Sequence, residues 1–124
     1  MQPLIIEPTK KSPLIELKNG ELNFRGCSIH NDPKTFFAPI LEWVQEYIAN
    51  APEKTTINIK FEYIDSASVK SLFEVLGIMK KLARRKQVKV NWHYDLNDPE
   101  ILELGEIIQS KIDIDFNFIE SEWR

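Results

Sequence analysis

The 124-residue chain is 43% hydrophobic and 28% charged, the make-up of one globular domain rather than a disordered tail. A formal charge of −3 argues against a protein built to hold nucleic acid, which usually carries a basic surplus. No apolar run is long enough to span a membrane, Met1-Gln2-Pro3 opens no signal peptide and the single Cys27 has no disulfide partner, so no direct membrane insertion is expected and the cytoplasm is the expected compartment.

Residues 1–13 carry Pro3, Pro8 and Pro13 and read as an irregular N-terminal arm with a short extended piece at Leu4 to Ile6. The single domain is expected to occupy 14–124. It opens with a hairpin, Leu14 to Lys18 and Glu21 to Arg25, around Asn19-Gly20, a pair that tolerates the positive backbone angles of a two-residue turn. Gly26 to Lys34 reads as a loop. Phe36, Phe37, Ile40, Leu41, Val44, Tyr47 and Ile48 then mark one side of a helix over Thr35 to Ala49, with Pro39 near its start.

After a linker at Asn50 to Lys54, Ile57, Ile59, Phe61 and Tyr63 alternate with polar residues as a strand. The period then changes at Asp65-Ser66-Ala67-Ser68: Val69, Leu72, Phe73, Leu76, Met79, Leu82 and Ala83 form one face of a helix of about four turns. Val88, Val90, Trp92 and Tyr94 mark another strand, and strand–helix–strand at this spacing favours a right-handed crossover with parallel pairing. Asp98-Pro99 caps and starts a third helix through Ile108, and Ile114, Phe116 and Phe118 mark a last short strand. The expected fold is α/β, a mixed sheet of about five strands with about three helices in the order β-β-α-β-α-β-α-β.

Chemistry is sparse. His30 and His93 are the only histidines, and neither belongs to a metal-binding pattern, so no metal or cofactor is expected. There is no Gly-x-Ser-x-Gly elbow and neither common phosphate-cradling loop, so nucleotide hydrolysis is not expected. A small hydrolase using His93 or His30 with a nearby hydroxyl is kept as a minor alternative. Lys80, Lys81, Arg84, Arg85 and Lys86 fall at the end of the second helix, where cations complement its dipole. The turn at Asp65-Ser66 has two readings: a helix cap, or an exposed hydroxyl at a helix start where a phosphoryl group is held without unfolding anything.

Phe36-Phe37-Ala38-Pro39-Ile40-Leu41-Glu42-Trp43, Phe61-Glu62-Tyr63 running into the Ser66 turn and Lys70, Asn91-Trp92-His93-Tyr94 and Phe116-Asn117-Phe118 together resemble the SiaC-like bacterial regulatory proteins, which are similar in architecture to the STAS-domain anti-sigma factor antagonists of the SpoIIAA type. In that family the turn usually reads Asn-Thr-Ser-Ser before an apolar residue and Lys, with the threonine as phosphoacceptor. The resemblance therefore implies Ser66 as acceptor, with Asp65, Ala67, Ser68, Val69 and Lys70 forming the switch loop and partner surface. Ala67 stands where the family has serine, and His30-Asn31-Asp32 where it often has Pro-Glu-Asn. The implied role is a non-enzymatic switch: a serine/threonine kinase of the histidine-kinase-like ATPase fold phosphorylates Ser66, a PP2C-type phosphatase reverses this, and the unmodified form binds and activates a diguanylate cyclase. Anti-sigma factor antagonism in a partner-switching pathway is the alternative the resemblance leaves open.

Overall fold

The computed structural model describes residues 1–122; the last two residues of the expected domain lie outside the described residues. The elements are β1 (Leu4–Ile6), β2 (Leu14–Lys18), β3 (Glu21–Ser28), α1 (Pro33–Tyr47), β4 (Lys54–Ile64), α2 (Ser66–Ala83), β5 (Gln87–Asp95), α3 (Pro99–Ile112) and β6 (Asp115–Ser121). The strands form one sheet in the order β1-β2-β3-β4-β5-β6. Antiparallel pairs join β1 to β2 and β2 to β3, and β3, β4, β5 and β6 run parallel to their neighbours.

Each parallel step is made through a helix, and the right-handed rule for such crossovers places α1, α2 and α3 on the same face of the sheet. Strand alternation supplies what those helices cover: Leu22, Phe24, Ile57, Ile59, Phe61, Val90 and Trp92 are buried. Against them pack Phe37, Ile40 and Val44 of α1, Leu72, Val75, Leu76 and Met79 of α2, and Ile101 and Ile108 of α3.

The opposite face is polar, and a chain of side-chain amides crosses it. Asn117 donates to Asn91 at 3.4 Å, Asn91 to Asn58 at 2.9 Å, Asn58 to Asn23 at 2.8 Å, and Asn23 to the Glu16 carboxylate at 3.0 Å. These five residues are register partners across β2 to β6. The ladder satisfies amides on a face no helix covers and ties the register of five strands together.

The sheet has six strands rather than about five, because the extended piece of the N-terminal arm is a strand. Leu4, Ile5 and Ile6 pair with Leu17, Glu16 and Ile15, and the Gln2 carbonyl accepts a 2.8 Å hydrogen bond from the Trp43 indole of α1. The stretch from Gly26, expected as loop, continues β3 to Ser28 through a register shift between Gly26 and Cys27. Gly26 has a φ of 116° there, which suits glycine. In the hairpin only Gly20 takes a positive φ, 87°, so Asn19 keeps an ordinary angle, as in a type II turn.

Two glycines lie in helices in opposite surroundings. A Cβ added at Gly105 of α3 would fall 2.6 Å from the buried Trp92 indole nitrogen, so the absence of a side chain lets α3 approach β5. At Gly77 of α2 a Cβ would meet nothing within 4 Å. Gly77→Ala is therefore expected to raise unfolding stability by about 0.5–1 kcal/mol, through helix propensity alone. Urea denaturation checks this, and an unchanged or lower midpoint contradicts it.

Candidate functional site

The junction of β4 and α2 is held from both sides. Asp65 has the extended backbone of an N-cap, φ −80° and ψ 166°, and its carboxylate accepts from the Ser68 amide at 2.8 Å. The other carboxylate oxygen accepts from the His30 amide at 3.2 Å. The Asp65 amide in turn donates to the Ser28 carbonyl at 3.0 Å, and the Val69 amide closes the first helical bond onto the Asp65 carbonyl at 3.0 Å. Asp65 thus fixes the start of α2 to the end of β3. Burial by itself would raise its carboxyl pKa, but hydrogen bonds from Ser68 and His30, with the His30 imidazole nearby, outweigh it, and the net shift is downward.

Capping is therefore the work of Asp65, and Ser66, Ala67 and Ser68, read from sequence as a turn, are the first turn of the helix. That separates the three hydroxyls nearby. Ser66 is exposed and its hydroxyl makes no hydrogen bond with a described residue. Ser68 is 0% exposed and Ser71 5%. Ser68, expected in the partner-binding surface, is instead turned into the protein, and its amide serves the cap. Ala67 and Lys70 are exposed and Val69 is half-buried.

Ser66 stands between two depressions. One, of about 450 Å³, is lined by Pro33, Lys34, Ala67, Lys70, Ser71 and Glu74, so it lies between the first turn of α1 and the first three turns of α2. The other, of about 270 Å³, lies toward α3: Glu62, Asp98 and Glu100 supply acidic groups, and Ile64, Val69, Ile101 and Leu104 supply apolar surface. Tyr63, 55% exposed, borders that second depression. Of these neighbours, Lys34, Asp98 and Glu100 come from elements distant in sequence, and nothing in the local pattern around Ser66 signals them, whereas Glu62 lies just upstream in β4.

Neither histidine engages a hydroxyl, although His30 lies beside the Asp65 carboxylate. His30 stacks on Phe36 with ring centroids 4.3 Å apart and meets the edge of Phe37 at 6.1 Å. His93 lies on the open sheet face, beside Lys60, Asn58 and Arg25 in a cavity of about 270 Å³. Neither imidazole hydrogen-bonds a serine, threonine or cysteine among the described residues. The Cys27 thiol, 3.8 Å from Glu62, has its pKa raised by burial and by that carboxylate, the opposite of what a nucleophile needs. Among the described residues no three His, Cys, Asp or Glu side chains converge to hold a metal ion, and no helix is long and apolar enough to cross a membrane.

Two testable consequences arise from this geometry. Asp65→Ala removes the cap and the tie to His30, and is expected to lower stability by about 1–2 kcal/mol in denaturant unfolding; a loss below a few tenths would contradict the anchoring role. Acidification should also destabilise. Burial lowers the His30 pKa against a smaller upward pull from Asp65, and burial followed by the Lys60 charge lowers that of His93. The unfolded chain then takes up protons first, so stability present above the ordinary histidine value of about 6.5 declines as pH falls through the lowered folded values. The depressed Asp65 pKa adds a loss at lower pH still. Denaturant midpoints followed from about pH 7.5 to 5 should fall, and replacing both histidines with glutamine should flatten the fall. A midpoint that rises on acidification contradicts these assignments.

Comparison with known proteins places this fold in a family. The model of the SiaC family regulatory phosphoproteins matches residues 6–121. An uncharacterized protein of Pseudomonas aeruginosa (strain UCBPP-PA14) is 24% identical over 109 residues, 86% of either chain. The crystal structure of apo-SiaC from Pseudomonas aeruginosa superposes with a TM-score of 0.89 at 22% identity, covering 96% of this chain and 99% of that one. SiaC in its complex with the diguanylate cyclase SiaD, where it is described as the activator, superposes with a TM-score of 0.86 at 21% identity over 95% and 99% of the two chains.

Proposed function

The chain belongs to the SiaC family of regulatory phosphoproteins, and from that premise we propose that it is a non-enzymatic cytoplasmic switch whose unmodified form binds and activates a diguanylate cyclase and whose Ser66 is the phosphoacceptor. The observation that carries this reading is the state of Ser66: an exposed, unbonded hydroxyl at the first position of a helix whose cap is made entirely by its neighbour Asp65. The complex of Pseudomonas aeruginosa SiaC with the cyclase SiaD supports the choice of partner class.

A kinase of the histidine-kinase-like ATPase fold transfers the γ-phosphoryl group of ATP to Ser66. The Oγ–P bond forms, the bridging P–O bond breaks with its electrons leaving on ADP, and the hydroxyl proton passes to a base of the kinase. A PP2C-type phosphatase hydrolyses the ester back to the hydroxyl and inorganic phosphate. The modification adds nearly two negative charges to a surface that was neutral at that point. Because the Ser66 hydroxyl is exposed and makes no hydrogen bond with a described residue, the change is read at the surface while the sheet and helices stay as they are. A partner fitted to the hydroxyl is then left facing an uncompensated charge.

Cyclase turnover provides the test. Unmodified protein added to a diguanylate cyclase from the same organism should raise cyclic-di-GMP synthesis, and protein phosphorylated on Ser66 should not. Equal stimulation by both forms contradicts the switch, and stimulation by neither contradicts the partner class.

A further inference from the structure

We infer that Lys34 and Lys70 form a clasp that takes the phosphoryl group of Ser66, drawing it to the α1 side of the turn. The inference rests on Ser66 as phosphoacceptor and adds where the new charge goes.

The two depressions beside Ser66 differ in charge. On the α1 side the formally charged residues are Lys34, Lys70 and Glu74; on the α3 side they are Glu62, Asp98 and Glu100. A dianion on Ser66 is repelled from the second and attracted to the first. Lys70 lies four residues after Ser66 in α2, hence on the same helix face one turn along, within reach of its side chain. Lys34 belongs to the first turn of α1 and approaches from across the depression. Both side chains are exposed, and neither makes a hydrogen bond or ion pair with a described residue. Their nearest competitors are Glu74, in the same depression, and Asp32, close enough to Lys34 for the lysine charge to act on its carboxyl. Two uncommitted ammonium groups from separate helices thus flank an unbonded hydroxyl.

Lysine suits this task as a mobile point charge with three donors, able to follow a phosphoryl group as it turns about the Cα–Cβ bond. A clasped phosphate also changes more than the charge at Ser66, because it withdraws both cations from the surface. A partner that meets this face with carboxylates loses its two counter-charges at the same moment that it meets a dianion.

The experiment uses the full chain with phosphoserine installed at position 66 during translation, so that no kinase is required. Phosphorus NMR then follows the second ionisation of the phosphate, which is about 6 for the free group. The Lys34→Gln/Lys70→Gln double variant should titrate at least about half a pH unit higher than the protein with both lysines, each single variant should fall between, and Lys18→Gln, on the far hairpin, should leave the titration unchanged. Coincident titrations of the double variant and the parent overturn the clasp, as does an equal shift from Lys18→Gln. Far-ultraviolet circular dichroism of each variant, showing unchanged secondary structure, confirms that the fold is intact. Phosphorylation by the cellular kinase at another residue would overturn the acceptor assignment without altering this titration, so the two failures are distinguishable.

Discussion

A phosphoryl group on Ser66 is expected to weaken the proposed complex with a diguanylate cyclase by on the order of a hundredfold, about 3 kcal/mol, while Ser66→Ala binds within about twofold of the parent. The asymmetry follows from where the residue stands. The Ser66 side chain is exposed and its hydroxyl makes no hydrogen bond with a described residue, so truncation breaks no hydrogen bond and leaves no polar group orphaned. A dianion at the same position must be desolvated or repelled at any interface closed over the turn. Ser66→Asp, with one charge on a short stem, should fall between the two, at about tenfold. Titration calorimetry measures all three, and matched melting curves separate lost binding from lost folding. Equal affinity for the phosphorylated and parent proteins contradicts the account, and so does a Ser66→Ala variant that fails to bind although folded.

The second large effect is structural. Gly105→Ala should lower stability by about 1–3 kcal/mol, although alanine is favoured over glycine in a helix by about 1 kcal/mol. The clash decides the sign. The new Cβ would lie 2.6 Å from the Trp92 indole nitrogen and 2.7 Å from its Cδ1 and Cε2. Trp92 has no room to yield: it is 0% exposed, and its indole nitrogen donates to the Ile101 carbonyl at 2.9 Å, on the same helix one turn earlier. Relief requires moving α3 off β5 or breaking that bond. Urea midpoints of Gly105→Ala and Gly77→Ala should move in opposite directions, and a Gly105→Ala protein as stable as the parent contradicts the close approach.

Much of the architecture was legible because alternation and helical periodicity encode burial directly. Ile57, Ile59 and Phe61 mark β4, and Leu72, Leu76 and Met79 mark the inner face of α2, with a short polar turn between. What periodicity missed has physical reasons. β1 is three residues long beside Pro3 and Pro8, too short to show a period, and it is a strand because residues far along the chain pair with it and Trp43 holds its approach. The first turn of α2 was read as a turn because Ser66, Ala67 and Ser68 carry no apolar signal; only the Asp65 hydrogen bonds show that the helix has already begun.

The site divides the same way. Family resemblance singles out Ser66 as the proposed acceptor, where the local sequence left a helix-cap reading beside a phosphoacceptor one. Burial then distinguished it from Ser68 and Ser71, which lie one turn before Leu72 and Val75 on the inner face of α2. Lys34, Asp98 and Glu100 reach the vicinity of Ser66 only through packing of α1 and the start of α3 around the start of α2. The amide ladder from Asn117 to Glu16 was invisible for a similar reason, since it depends on the register of five strands.

Phosphosite mapping tests the central claim most directly. The protein is incubated with the proposed kinase partner and ATP, and the products are read by intact mass and by peptide fragmentation. One phosphate on Ser66, absent from the Ser66→Ala protein, is the predicted result; phosphate confined to Ser68, Ser71 or any other residue would contradict it.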